Sequence, residues 1–324
     1  MGERLMVVVG YEAAELLDIA CVTTPLAMAN GIGAPTVPYR VRVAGPAGAP
    51  LVCGTGLTLA ADEALERLAG PLDTLIVSGG VGFERAAADA RLVAHVRRLA
   101  RESRRVASVC TGAAVLAAAG LLDGRRATTH WRYARRLADE HPQVTIDPAP
   151  IYVRDGNVYT AAGVTSAMDL TLAFIEEDHG PDLARQVARD LVVYLQRPGN
   201  QAQMSLFTSA PVPRDGLVRG LVEHIAAHPA ADLSATALAA RAGVTPRHLT
   251  RLFNEQLGRA PARYVRYARA EAAAQLLAST ELPLEAVADR CGFGSAEAMR
   301  QTFTRRYGVP PSRFRATARK PQPQ

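Results

Sequence analysis

Lysine is almost missing from this chain of 324 residues: Lys320 is the only one, so positive charge is carried by arginine. Cysteine is scarce as well. Cys21, Cys53, Cys110 and Cys291 lack metal-ligand spacing, which argues against a zinc site and makes reduced thiols the expectation. No uninterrupted apolar run reaches the roughly 20 residues that span a bilayer. The opening Met1-Gly2-Glu3-Arg4-Leu5-Met6-Val7-Val8-Val9 is too short for a secretory signal and reads as a first buried strand. The expectation is a cytoplasmic protein with no membrane partner, no metal and no cofactor.

What is present is the composition of a soluble globular protein, 48% hydrophobic and 21% charged, with length for two ordinary domains. The net charge of +6 is unevenly spread. From Arg214 onward stand 17 basic against 9 acidic side chains, whereas residues 1–213 hold 20 against 22. A basic module beside a near-neutral one points to a polyanion partner for the basic part alone.

The two parts follow different patterns. Up to about residue 195, short apolar strands (5–9, 40–44, 74–77, 105–109 and 157–160) alternate with helical stretches such as 87–101 and 113–119. This predicts an α/β fold with a doubly wound, flavodoxin-like parallel sheet covered by helices on both faces. The Pro- and Gly-bearing stretch around Ser209-Ala210-Pro211-Val212-Pro213 reads as a connection. Beyond it come only short amphipathic helices. The expected division is 1–207 for a ligand-sensing domain, 208–216 for a linker, 217–318 for an all-α domain and 319–324 for a disordered tail.

The all-α part repeats itself. Leu238, Ala239, Gly243, Leu249, Phe253, Gly258, Pro261 and Tyr264 are answered by Val287, Ala288, Gly292, Met299, Phe303, Gly308, Pro311 and Phe314. The offset is 49 residues before the glycine turn and 50 after it. Each copy carries a small residue where helices approach, a glycine for the turn, and an N-cap (Thr245 or Ser295) opening an amphipathic helix. Two helix-turn-helix units follow, joined by a helix over 263–278. Arg247, Thr250, Arg251 and Asn254 are expected to face outward from the first reading helix. Ala296, Glu297, Arg300, Gln301 and Thr304 are expected to do so from the second.

Residues 217–318 resemble the DNA-binding domain of the AraC/XylS family, down to the closing Gly308-Val309-Pro310-Pro311-Ser312-Arg313-Phe314. The resemblance implies that Arg247, Thr250 and Arg251 enter one major-groove segment of double-stranded DNA. Ala296, Glu297, Arg300 and Gln301 would enter the next. Arginine, glutamine and threonine are able to read base edges there, and glutamate would have to accept from a base such as cytosine.

In the α/β part, a strand runs into Cys110-Thr111-Gly112 and a helix begins directly after. Helical N–H groups near the thiol would favour a thiolate. A second turn, Ser78-Gly79-Gly80, offers glycine amides to an oxyanion or carboxylate. Both turns lie at carboxyl ends of strands, where doubly wound sheets bind ligands. This region is similar to the PfpI-type, class I glutamine-amidotransferase-like superfamily, above all in Leu121-Leu122-Asp123-Gly124-Arg125 through His130-Trp131 and in Ala161-Ala162-Gly163-Val164-Thr165. Together the two parts resemble the GlxA-type branch of AraC regulators. That branch implies a domain that senses metabolites, often nitrogen-containing, and a homodimer that binds paired promoter half-sites and is able to meet RNA polymerase. The ligand-binding residues so implied are Asp18, Gly79, Gly80, Cys110, Thr111, His130, Gly163 and Val164. Three readings of Cys110 stand: a pocket that only binds, a hydratase-like site with Cys110 as nucleophile and Asp18 as proton donor, and a redox sensor.

Overall fold

A computed structural model describes residues 2–33, 35–193, 199, 203, 216–307 and 310–318. The chain divides into two compact units between Gln203 and Met204. The expected linker at 208–216 and tail at 319–324 fall outside the described residues, apart from Gly216, which opens a helix.

Besides the two-residue strands β3 (Leu51–Val52), β4 (Thr58–Leu59), β5 (Glu63–Ala64), β8 (Arg126–Ala127) and β9 (Thr145–Ile146), the first unit is built on β1 (Arg4–Val9), β2 (Tyr39–Gly45), β6 (Leu72–Val77), β7 (Ser103–Val109) and β11 (Val158–Ala161). These five strands run parallel in the order β2-β1-β6-β7-β11. The order reverses beside β1, which is the doubly wound arrangement expected. Met6, Val7, Val8 and Val9 are all fully buried, because helices cover both faces and leave no side of the strand for polar residues. Helices α1 (Leu16–Gly33), α6 (Val164–His179) and α7 (Pro181–Asp190) pack together as one layer. A second layer is formed by α2 (Phe83–Ala88), α3 (Ala90–Arg101) and α4 (Ala113–Ala118).

Several details depart from the sequence reading. The helix expected over 87–101 is two helices, because Asp89 leaves the helical region and caps α3 by accepting from the amides of Arg91 and Leu92. An antiparallel strand β10 (Tyr152–Asp155) borders β11 across a two-residue Gly156-Asn157 turn. Helix α1 has the length and hydropathy to cross a membrane, although Asp18 interrupts its apolar run. Asp18, Ile19, Cys21, Val22, Leu26 and Ala29 are buried along it, which makes it a core helix.

The parallel strands are clamped at the end away from the Cys110 turn. Arg105, 3% exposed, bonds Asp178 at 2.6 Å and Asp73 at 3.1 Å, and Arg104 reaches the same two carboxylates. Burial works against an ionised Asp73, yet the bonds from Arg104, Thr74 and Arg4 hold its carboxyl down to about 2.

The second unit contains α8 (Gly216–Ala227), α9 (Ala235–Arg241), α10 (Pro246–Leu257), α11 (Pro261–Ser279), α12 (Leu284–Arg290), α13 (Ala296–Tyr307) and α14 (Pro311–Ala318). It has two apolar cores, and α11 serves both. Tyr264, Val265 and Ala268 enter the first, while Ala270, Ala273, Ala274 and Leu277 enter the second. Leu249 and Phe253 fill one core as Met299 and Phe303 fill the other, at the repeat positions. Gly243 and Gly292 sit in the turns at φ +65° and +73°, where a side chain is strained.

Candidate functional site

The Cys110 turn is made by β7 running into a short 3₁₀ turn, Cys110–Gly112, before α4. Cys110 is held at φ +55°, a conformation costly for any residue with a Cβ. Across from it stands Gly79. A Cβ there would lie 2.6 Å from Cys110 Cβ, 2.7 Å from Asp18 Oδ2 and 2.8 Å from the Thr111 nitrogen. Only glycine lets these four residues meet.

The polar groups are almost all engaged. The Gly79 amide donates to Asp18 Oδ2 at 2.9 Å. The Thr111 hydroxyl lies 3.0 Å from both the Gly80 amide and the Gly80 carbonyl. The turn expected to receive an oxyanion is therefore occupied from within, since both its amides already have acceptors. Thr129 Oγ1 donates to the Cys110 carbonyl at 2.8 Å. One group stands out: Asp18 is 1% exposed, and its Oδ1 has no hydrogen-bond partner among the described residues.

The electrostatics overturn the expected thiolate. Burial, with the Asp18 charge adding to it, pushes the Cys110 thiol up to about 12, and the hydrogen bonds from Thr111 offset only part of this. Burial likewise raises the Asp18 carboxyl to about 7, against the opposing Gly79 amide, with Glu15 reinforcing the rise. The site thus holds a thiol and a carboxyl poised between its two protonation states, with acidic rather than basic neighbours.

Of the remaining expected residues, His130 is the N-cap of α5 (Trp131–Glu140), its Nδ1 accepting from the Arg132 amide at 3.2 Å. Burial and the Arg132 charge lower its pKa, favouring the neutral imidazole. A Cβ on Gly163 would lie 3.8 Å from His130 Cδ2, so these two adjoin. Val164 opens α6 and is half-buried. Asp18, Gly79, Gly80, Cys110 and Thr111 are in direct contact, and His130 and Gly163 form a neighbouring wall reached through Thr129. A small, open cleft, lined in part by Phe83, Ala114, Tyr133 and Leu137, adjoins the turn at Thr111 and Thr129.

Tyr11 and Thr129 escaped the sequence reading. Tyr11 is buried and donates to the Ser78 carbonyl at 3.0 Å; burial and the charges of Asp18 and Cys110 raise its pKa. Its signal was faint, a lone aromatic just past the first strand. Thr129 lies inside the run that ends at His130-Trp131, where nothing local marks it.

In the second unit, Arg247 and Arg251 are exposed on α10. Arg251 lies 3.2 Å from His248 Nδ1 and 3.7 Å from Glu255. Thr250 is half-buried and donates back to the Pro246 carbonyl at 2.9 Å. On α13, Glu297, Arg300 and Gln301 are exposed, and Ala296 is half-buried. Glu297 accepts from Arg300 at 2.6 and 2.7 Å and from Gln301 at 2.8 Å. These bonds hold its carboxyl down to about 2. Thr304 does not face outward as expected: its hydroxyl is buried.

With this geometry in hand, known proteins are informative. Residues 6–177 match the model of the DJ-1/PfpI family, and residues 238–317 that of a helix-turn-helix domain. The HTH-type transcriptional regulator CdhR of Pseudomonas aeruginosa is 35% identical over 293 residues, covering 90% of this chain and 85% of that protein. The chain belongs to the DJ-1/PfpI family, in its branch of AraC-type helix-turn-helix transcription regulators. The regulator GlxA of Rhizobium meliloti is 31% identical over 302 residues, 93% of this chain and 92% of that one. A THiJ/PfpI family protein from Pseudomonas syringae shares the fold with a TM-score of 0.55 at 24% identity, over 70% of this chain and 87% of its own. The isonitrile hydratase of Pseudomonas putida is 39% identical over 145 residues, 44% of this chain and 60% of that enzyme.

Proposed function

We propose that this regulator binds double-stranded promoter DNA in the cytoplasm through its two helix-turn-helix units, under control of a small nitrogen-bearing effector held at Asp18, Cys110 and Thr111. The observation that carries the effector reading is Asp18 Oδ1, a buried carboxylate oxygen without a partner. An unmet acceptor at such depth is costly, and an N–H or cationic group on a ligand relieves it. The engaged amides of Gly79 and Gly80 support the same sign of ligand, since neither is free to receive an anion beside Asp18. Homodimerisation through the first unit belongs to the proposal and accounts for paired half-sites. The exposed apolar side chains Leu57 and Val81, both on loops beside the turn, favour a second copy there.

Cys110 in this reading shapes the pocket without reacting, because a thiol at about 12 is almost wholly protonated near neutrality. The hydratase-like alternative has one observation in its favour: Asp18, at about 7, is able to give up a proton beside Cys110. Thermal-shift screening of the full chain against amines, amino acids and betaines separates the two. A compound that stabilises wild type and Cys110→Ala alike, fails with Asp18→Asn and is recovered unchanged supports the sensor. A compound consumed only by wild type makes this domain an enzyme.

A further inference from the structure

The first unit ends at Gln203, and this residue is tied into the loop beside the Cys110 site by its backbone amide and both polar atoms of its side chain. Its backbone amide donates to the Ala149 carbonyl at 2.8 Å. Its side-chain nitrogen lies 2.9 Å from the Thr129 carbonyl, 3.1 Å from Thr128 Oγ1 and 3.3 Å from the Pro150 carbonyl. Its side-chain oxygen accepts from the Trp131 amide at 3.0 Å, at the first residue of α5. Donor and acceptor are both used, so no other side chain of this size satisfies the position. A glutamate would set a carboxylate against two carbonyl oxygens, and a methionine would leave every partner unmet.

The partners of Gln203 lead inward. Thr128 and Thr129 are buried, at 0% and 1% exposure. The Thr128 amide donates to Thr160 Oγ1 on β11 at 2.8 Å, so the loop is pinned to the sheet at one point. Thr129 Oγ1 donates to the carbonyl of Cys110, the residue held at φ +55°. Two hydrogen bonds, Gln203 to Thr129 and Thr129 to Cys110, therefore separate the last residue of the effector unit from the strained turn at the centre of its site.

We infer that Gln203 is the output latch of the effector site. The inference rests on the sensor reading above and adds the residue through which occupancy would leave the domain. A ligand that shifts the Cys110 turn displaces Thr129, and with it the carbonyl that Gln203 binds. By reciprocity, undocking Gln203 must alter the stability of the Cys110 turn to the same degree. Gln203 is joined to the loop by hydrogen bonds from its side chain, which are able to open locally without unfolding the sheet.

Hydrogen exchange read by mass spectrometry on the full chain, with no effector added, tests the coupling. Gln203→Ala and Gln203→Glu should each raise exchange about tenfold both at residues 128–132 and at 110–113. Thr129→Val should raise it in the peptide holding Gln203, and Thr129→Ser, which keeps the hydroxyl, should return it to the wild-type rate. Faster exchange confined to residues 199–215 in the Gln203 variants, with 110–113 unchanged, would reduce Gln203 to a local tether and overturn the inference. Should Thr129→Val not fold, the two Gln203 variants still decide the matter. Absence of coupling here leaves the sensor reading standing, and an effector screen without hits leaves the measured coupling standing.

Discussion

The Gly79 amide donates to Asp18 Oδ2 at 2.9 Å and thereby fixes a carboxyl whose second oxygen is buried and unmet. One hydrogen bond is too little to offset the burial, so Asp18 rises to about 7.

A dependence of stability on pH follows. The folded protein holds a proton on Asp18 up to about 7, while the unfolded chain releases it near about 3.9. Stability from this group is therefore full below the unfolded value and is lost as pH rises through about 7. Asp18→Asn removes the titration. Urea unfolding from about pH 4 to about pH 8 should show the variant gaining about 1–4 kcal/mol on wild type. A difference that stays constant with pH would mean that Asp18 is ionised throughout.

The Cys110 thiol gives an independent check. Raised to about 12, it should react with iodoacetamide near neutral pH about 10³-fold more slowly than an unburied cysteine. Mass spectrometry of the Cys110 peptide measures this directly. Rapid alkylation would restore the thiolate, and with it the enzymatic and redox readings.

On α10, Arg251→Ala is expected to cost about 1–3 kcal/mol on the operator recovered by selection from random sequence. Fluorescence anisotropy on operator and random duplexes separates its roles: equal losses on both would place Arg251 on phosphate alone.

Glu297 on α13 occupies Arg300 and Gln301. Glu297→Ala should free both, raising affinity for random DNA about 2–10-fold at low salt and steepening the salt dependence by about one phosphate contact. If affinity falls on the operator alone, Glu297 reads a base.

At the far end of the sheet, Arg105 and Asp178 are both nearly closed to solvent and 2.6 Å apart. Arg105→Met leaves that carboxylate without its closest partner, at an expected loss of about 3–5 kcal/mol in urea unfolding. A loss below about 1 kcal/mol would show that Arg4 and Arg104 neutralise Asp178 unaided.

The five parallel strands, the two reading helices and their turns were legible in the chain itself. Their signals are local: unbroken apolar runs, a 49- to 50-residue repeat, glycine at a turn and Thr245 or Ser295 at a cap. Strand β10 went unread because an edge strand buries only alternate residues and its Tyr-Val-Arg-Asp run is half polar. Asp89 splitting a helix was equally local, yet the apolar stripe on either side masked it.

The chemistry of the site was not legible in the same way. Helix-adjacent position alone favours a thiolate at Cys110, but burial beside Asp18 reverses the sign, and burial arises only when the start of α1 meets the turns that follow β6 and β7. The amides of Gly79 and Gly80 looked free in sequence; folding spends them on Asp18 and Thr111, from 61 and 31 residues away. Gln203 falls near the end of the expected sensing domain with no local signal of a role; its contacts with the loop at 128–131 exist only in the folded chain. Residue type and spacing determined which parts this protein has, because those preferences act within a few residues. Which groups are paired, which are charged and which are left unmet was decided by contacts between segments distant in sequence, where solvent exclusion sets the cost of every polar atom.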